Sequence, residues 1–194
     1  MLEMEQIKED VLKANFNLAI LRRKNNLFPV IGEGNHNAEI MFIGEAPGRN
    51  EAMSGRPFCG KAGQVLDNLL SGINISRSDV YITNIVKDRP PNNRDPLPEE
   101  IEEYAPFLDR QIKIIKPKII VTLGRFSAQY ILSKYRINNT ETITKINGKV
   151  FEADGLKIIT LLHPASAIYD NKKQKMLVYA STSFWTFEVL KKYY

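Results

Sequence analysis

Apolar residues along this chain switch between two periods, and the switches mark its elements. Over residues 4–23, Ile7, Val11, Leu12, Ala14, Leu18 and Leu21 recur at helical spacing and predict one amphipathic helix. Asn25-Asn26 ends it, and the glycine-broken stretch from Phe28 to Asn35 reads as an extended lead-in. Short β-branched and aromatic runs then predict strands over 39–44, 80–86, 118–124 and 156–162. The last of these pairs with 149–153 across Asp154-Gly155, the strongest short-range hairpin signal. Helical spacing returns over 63–70, from Pro98 to about Ile115, over 127–133 and over 174–194. In the terminal helix Leu177, Val178, Phe184, Trp185, Phe187 and Leu190 form the expected inner face. Pro98 with Glu99 and Glu100 makes a helix start, and Lys116-Pro117 makes a stop.

Strands separated by helices imply an α/β fold, a largely parallel sheet with helices on both faces. No repeat, low-complexity tract or linker interrupts the 194 residues, so one domain over 1–194 is expected. Right-handed crossovers place the carboxyl ends of all the parallel strands on one edge, where such sheets bind ligands. Glu45, Asn84, Gly124-Arg125 and His163 each follow a different predicted strand. A carboxylate, an amide and an imidazole should therefore meet in one crevice.

The loop carrying Glu45 is Gly44-Glu45-Ala46-Pro47-Gly48, and a second glycine-punctuated stretch runs from Gly55 to Gly63 through Phe58. Glycine and proline let such backbone turn sharply and approach a ligand closely. An asparagine presents a donor and an acceptor side by side, matched to the edge of a base. Phe58 could stack on a planar ring, His163 could hydrogen-bond an oxygen that gains charge, and Glu45 could position water or stabilise a cation. Together they suit cleavage of an N-glycosidic bond. The structural alternatives are a turn-capping Asn84, a core Phe58 and a satisfied loop His163. A Gly-x-Gly-x-x-Gly dinucleotide signature is absent after the first strand.

Composition narrows the classes. Hydrophobic content of 43% with 25% charged residues describes a soluble globular protein, and the net charge of +5 permits a polyanionic partner without demanding one. Cys59 is the only cysteine, which excludes an internal disulfide and any site built from several thiolates. That usage fits a reducing cytoplasmic location. The acidic N-terminus is unlike a signal peptide, and no apolar run approaches the roughly 20 residues that span a bilayer.

The ordered motifs resemble family 4 uracil-DNA glycosylases, the type found in thermophilic bacteria and archaea. The resemblance runs from Phe28 through Gly32-Glu33-Gly34-Asn35, Gly44-Glu45-Ala46-Pro47-Gly48 and Gly55-Arg56-Pro57-Phe58. It continues through Tyr81-Ile82-Thr83-Asn84-Ile85-Val86-Lys87 and Arg89-Pro90-Pro91-Asn92-Asn93-Arg94, and ends at Leu162-His163-Pro164-Ala165. It implies a three-layer α/β/α fold around a four-stranded parallel sheet, and a monofunctional hydrolase that flips uracil out of single- and double-stranded DNA and leaves an abasic site. By resemblance, Glu45 and His163 are catalytic. The backbone at Ala46 meets the uracil, Glu51 bars the thymine methyl, Phe58 stacks on the base and Asn84 reads it. The loop Pro164, Ala165, Ser166 to Tyr169 matches the segment that enters the duplex, with Ile168 or Tyr169 as wedge. Arg56, Lys61, Arg89, Arg94, Arg125 and Lys172-Lys173 are candidate phosphate contacts. The alternative is a non-catalytic DNA- or nucleotide-binding protein of the same fold.

One departure is large. The family usually carries a [4Fe–4S] cluster on four cysteines, and the matching positions here are Asn17, Ile20, Asp88 and Tyr104. No cluster and no other cofactor or metal is expected. Instead, Ile20 and Tyr104 are expected to pack, with Asp88 hydrogen-bonded to Tyr104 or Asn17. Uracil-containing DNA is the expected partner and a monomer the expected state; a sliding clamp or a polymerase remains an open partner class.

Overall fold

The computed structural model describes residues 2–188, with side chains as far as Ala180. Strands β1 (Glu33–Gly34), β2 (Ile40–Gly44), β3 (Tyr81–Asn84), β4 (Ile119–Leu123), β5 (Val150–Ala153) and β6 (Leu156–Leu161) form one sheet in the order β1-β3-β2-β4-β6-β5. The inner four, β3, β2, β4 and β6, are mutually parallel, and β1 and β5 pair antiparallel at the two edges. The sheet thus has six strands rather than four. The parallel centre is as expected, and short antiparallel strands flank it. The β5–β6 hairpin turns at Asp154 and Gly155, whose φ values of 53° and 77° are the left-handed pair that a tight two-residue turn needs.

Alternation along the inner strands divides the core into two layers. Met41 and Ile43 of β2, Ile120 of β4 and Ile158 of β6 face one side. There they meet helices α1 (Leu2–Lys13), α5 (Pro98–Ile115) and α6 (Arg125–Lys134). Phe42, Ile82, Val121, Ile159 and Leu161 face the other, against α4 (Lys61–Gly72) and α8 (Asn171–Glu188). Strands covered on both faces lose the polar alternation of an exposed sheet, which is why they read as continuous apolar runs. The expected packing of Phe184, Trp185, Phe187 and Leu190 lies outside the described side chains.

The predicted helix over 4–23 is two helices, α1 and α2 (Asn17–Lys24), separated at residues 14–16. Phe16 leaves the helical region (ψ 161°) and sets its ring 5.3 Å from Tyr104 and 6.4 Å from Phe107. Arg22 folds back to donate to the carbonyls of Val11 (3.2 Å) and Leu12 (3.0 Å), supplying partners to the orphan acceptors at the end of α1. Two short helices were not anticipated: α3 (Arg49–Ser54) and α7 (Ile143–Ile146). Among the described residues no helix is long and apolar enough to cross a membrane.

Candidate active site

The four parallel strands end on one edge, and a cavity of about 300 Å³ opens there. Glu45, Ala46, Glu51, Phe58, Asn84 and His163 all line it, together with Arg94 and Ala165. Three glycines set how closely these groups approach. A Cβ on Gly44 would fall 2.6 Å from the Phe58 ring and against Asn84 Oδ1, so ring and amide meet above bare backbone. A Cβ on Gly124, itself at φ 106°, would sit 3.0 Å from the Glu45 carboxyl carbon and 3.2 Å from His163 Cβ. The carboxylate and the imidazole therefore flank one glycine. Gly63 lets α4 pass against the Phe58 backbone.

Asn84 is buried, yet its amide makes no hydrogen bond to protein among the described residues, and it borders the cavity. No polar side-chain atom among the described residues is both buried and unpartnered, so the Asn84 amide atoms face the open cavity, where a donor and an acceptor stand side by side. The Phe58 ring lies 5.9 Å from the His163 ring, tilted by 31°. Glu51 accepts the Gly60 N–H at 3.2 Å, which ties the cavity wall to the start of α4.

Burial pushes the Glu45 carboxyl up from 4.5 to about 7; nearby Asp95 adds to this, and the Phe126 N–H, 3.4 Å from Oε1, opposes it. Burial pushes His163 down from 6.5 to about 4, so its imidazole is neutral at physiological pH. His163 Nδ1 accepts the Ala165 N–H at 3.1 Å. Nδ1 thus carries no proton, and Nε2–H is the donor left for a ligand.

Several structural supports were not visible in the sequence. Phe58 has φ 48°, a left-handed conformation that costs an aromatic residue about 1–3 kcal/mol. Arg77 holds it there, donating to the Phe58 carbonyl (3.2 Å) and to the Pro57 carbonyl while pairing with Asp67 (2.8 Å) and Glu33 (3.1 Å). Lys87 is wholly buried beneath Asn84. Its Nζ reaches the Asn84 carbonyl (2.7 Å), Thr83 Oγ1 (2.8 Å) and Gln111 Oε1 (2.6 Å), and burial drives its pKa well below the usual lysine range.

The basic residues are placed differently from one another. Arg56 lies outside the cavity, paired with Glu33 at 2.7 Å. Arg94 forms two bonds to Glu100 (2.8 and 2.6 Å), whose Oε2 also accepts the Leu97 N–H at the start of α5. Arg89 donates to Asn93 (2.7 Å), Arg125 pairs with Asp95, and Lys173 is 3.7 Å from Asp170. Lys61 sits 5.8 Å above the Tyr169 ring, which is 85% exposed beside half-buried Ile168. The turn Pro164–Ala167 is pinned by Ser166 Oγ donating to the His163 carbonyl at 2.8 Å.

At the four cluster-matching positions, Asp88 accepts from Tyr104 Oη at 2.6 Å and from Arg22 at 2.9 and 3.1 Å. The expected Asp88–Tyr104 bond is present, but Asn17 is exposed and Ile20 is 44% exposed rather than packed. Arg22 takes the place assigned to Ile20, because a guanidinium can join Asp88 to the end of α1, which an alkyl group cannot. A carboxylate already bonded three times, a phenol, an amide and an alkyl group do not fit an iron–sulfur cluster, which is held by thiolates.

The family model described as the uracil DNA glycosylase superfamily matches residues 31–184. The chain belongs to that superfamily. It is 48% identical over 152 residues to the Type-4 uracil-DNA glycosylase of Archaeoglobus fulgidus, covering 76% of this chain and 75% of that one. It is 50% identical over 160 residues to the Type-4 enzyme of Saccharolobus solfataricus, covering 80% and 72%. With the Type-4 enzyme of Sulfurisphaera tokodaii the identity is 46% over 179 residues, covering 90% and 80%. This member of the superfamily therefore holds its motif residues around one cavity, while the four positions matched to the cluster cysteines hold none.

Proposed function

We propose that this protein is a uracil-DNA glycosylase that hydrolyses the N-glycosidic bond of a flipped-out deoxyuridine and leaves an abasic site. The observation that carries the reading is the meeting of Glu45, Phe58, Asn84 and His163 in one cavity at the strand ends. Uracil stacks on Phe58 and pairs its edge with the Asn84 amide, while the backbone at Ala46 closes the far side. Glu51 stands where it excludes a 5-methyl group. As the C1′–N1 bond breaks, its electron pair goes to the base and the sugar becomes oxocarbenium-like. His163 Nε2–H donates to the uracil oxygen that gains charge. Glu45, ionised, stabilises the cation and orients water, whose oxygen bonds to C1′ and whose proton is released to the carboxylate.

A neutral imidazole suits this role because a donor need not be a cation to stabilise an anionic leaving group in a dry site. Lys87 is wholly buried beneath Asn84 and does not line the cavity, so it presents no amine to the sugar, which supports hydrolysis over a lyase. Extruding the nucleotide costs a few kcal/mol of stacking, offset by the pocket and by Ile168 or Tyr169 filling the gap in the duplex. Single-stranded substrate avoids part of that cost, so both forms are substrates. Lys61, Arg89 and Arg94 provide phosphate contacts near the cavity, with Arg56 further out.

An oligonucleotide with a single uracil, incubated with protein and then alkali, tests the reading. Cleavage at the uracil is expected, with Glu45→Ala and His163→Ala lowering the single-turnover rate far more than DNA affinity. No cleavage with protein in excess would leave a binding protein instead.

A further inference from the structure

The cavity assigned to uracil has a larger neighbour of about 580 Å³. Helix α3 and Pro90 form the partition. Glu51 of α3 lines the first cavity, Arg49 and Met53 of the same helix line the second, and Pro90 lines both. The two differ sharply in charge. The first contains Glu45, Glu51 and Asp95 beside the single cation Arg94, whereas among the described residues no Asp or Glu lines the second, which has Arg49 and Arg89 on its wall besides Arg22, already paired with Asp88. Arg49 makes no ion pair or side-chain hydrogen bond among the described residues, and Arg89 bonds only the neutral Asn93.

Two large apolar side chains stand open in this groove among polar neighbours. Phe28 is 57% exposed and Met53 58%, although both sit on firm backbone: the Phe28 N–H donates to the Ala52 carbonyl of α3 at 2.8 Å. A large aromatic left in water beside two uncompensated cations has the makeup of a single-strand binding site, where a base stacks on the ring and the cations meet phosphate. An apolar protein segment would leave both guanidinium groups without anions.

We propose that this groove is a subsite for the nucleotide adjoining the deoxyuridine on the same strand, its base on Phe28 and its phosphate at Arg49 and Arg89. The assignment rests on the glycosylase reading, because the shared wall puts the groove one step from the cavity assigned to uracil. It makes the protein a reader of strand continuity on one side of the lesion.

The probes are single-stranded oligonucleotides carrying 2′-fluoro-2′-deoxyuridine, whose electron-withdrawing fluorine blocks cleavage, at the 5′ end, at the 3′ end or internally. Binding is measured by fluorescence anisotropy at several salt concentrations, and uracil release is measured on matching deoxyuridine strands. Nucleotides added on one side of the uridine should tighten wild-type binding. Phe28→Ala should weaken that gain by about tenfold or more. Arg49→Gln should make the log–log salt slope shallower by about 0.7, as expected for one lost phosphate contact on a single strand. Both effects should appear with one polarity of extension and vanish with the other, which general damage to the fold would not produce. If wild type releases uracil while both variants bind every strand as wild type does, the groove is not a nucleotide subsite. If wild type releases no uracil, the enzymatic reading falls and takes the subsite with it.

Discussion

Glu45→Gln should make the protein more stable and nearly inactive, with the stability gain depending on pH. In the folded protein the carboxyl ionises near 7, whereas its ordinary value is 4.5. Ionisation is thus harder in the folded state than in the unfolded chain. Below pH 4.5 both states hold the proton and Glu45 is neutral towards folding. Between 4.5 and about 7 the unfolded chain ionises first, so stability falls as pH rises, and above about 7 the loss is complete. At about 1.4 kcal/mol per pH unit, the gap from 4.5 to about 7 sets an upper bound of about 3.5 kcal/mol. Glutamine, of the same size but unable to ionise, escapes that loss. In a chain of this length, about 3.5 kcal/mol corresponds to a rise in Tm of roughly 7–14 °C. Thermal unfolding of both proteins from about pH 4 to pH 8 measures the difference, which should be near zero at the acid end and largest at the alkaline end. Activity should move oppositely. The wild-type single-turnover rate should rise about tenfold per pH unit below an apparent pKa of about 7 and then level off, because only ionised Glu45 serves. His163, at about 4, adds no limb in that range. A pH-independent Tm difference, or a wild-type rate already flat at pH 5 to 6, would refute the argument that burial holds a proton on Glu45.

Three further outcomes test separate parts of the structure. Asp88→Ala should destabilise the protein by about 3–5 kcal/mol, because it leaves the Arg22 guanidinium buried without its anion; chemical denaturation measures this, and Arg22→Met with Asp88→Leu together should cost less than Asp88→Ala alone. Arg77→Met should weaken inhibition by free uracil, since the Phe58 turn loses the donor that holds it, and millimolar guanidinium ion should restore part of the loss; unchanged inhibition would show that Phe58 keeps its place unaided. Ile168→Ala and Tyr169→Ala should slow excision from duplex DNA more than from single strands, and an equal loss on both would remove the wedge role.

The parallel centre of the sheet was legible because strands buried on both faces must be apolar without interruption, as residues 40–43 and 119–121 are. The convergence of Glu45, Asn84 and His163 followed from topology alone, since crossovers of one hand leave every carboxyl end on one edge. Edge strand β1 escaped notice because two residues carry no periodicity. The break between α1 and α2 was hidden for a different reason: the apolar spacing continues through Ala14 to Leu18, and what interrupts the helix is Phe16 turning towards Tyr104. Helix α3, six residues long, has no apolar face long enough to register. The supporting roles of Arg77 and Lys87 were not legible, because they depend on carbonyls that only the folded chain brings to them. Ile20 shows the reverse error. Its apolar character suggested packing, but the guanidinium of Arg22 already fills that position beside Asp88.

The most direct measurement is a crystal structure of the protein with uracil bound. The account predicts one base in the cavity at the strand ends, stacked on Phe58, its edge on the Asn84 amide and an oxygen at His163 Nε2. Uracil bound elsewhere, or lying in that cavity with Asn84 and His163 both turned away from it, would contradict the account.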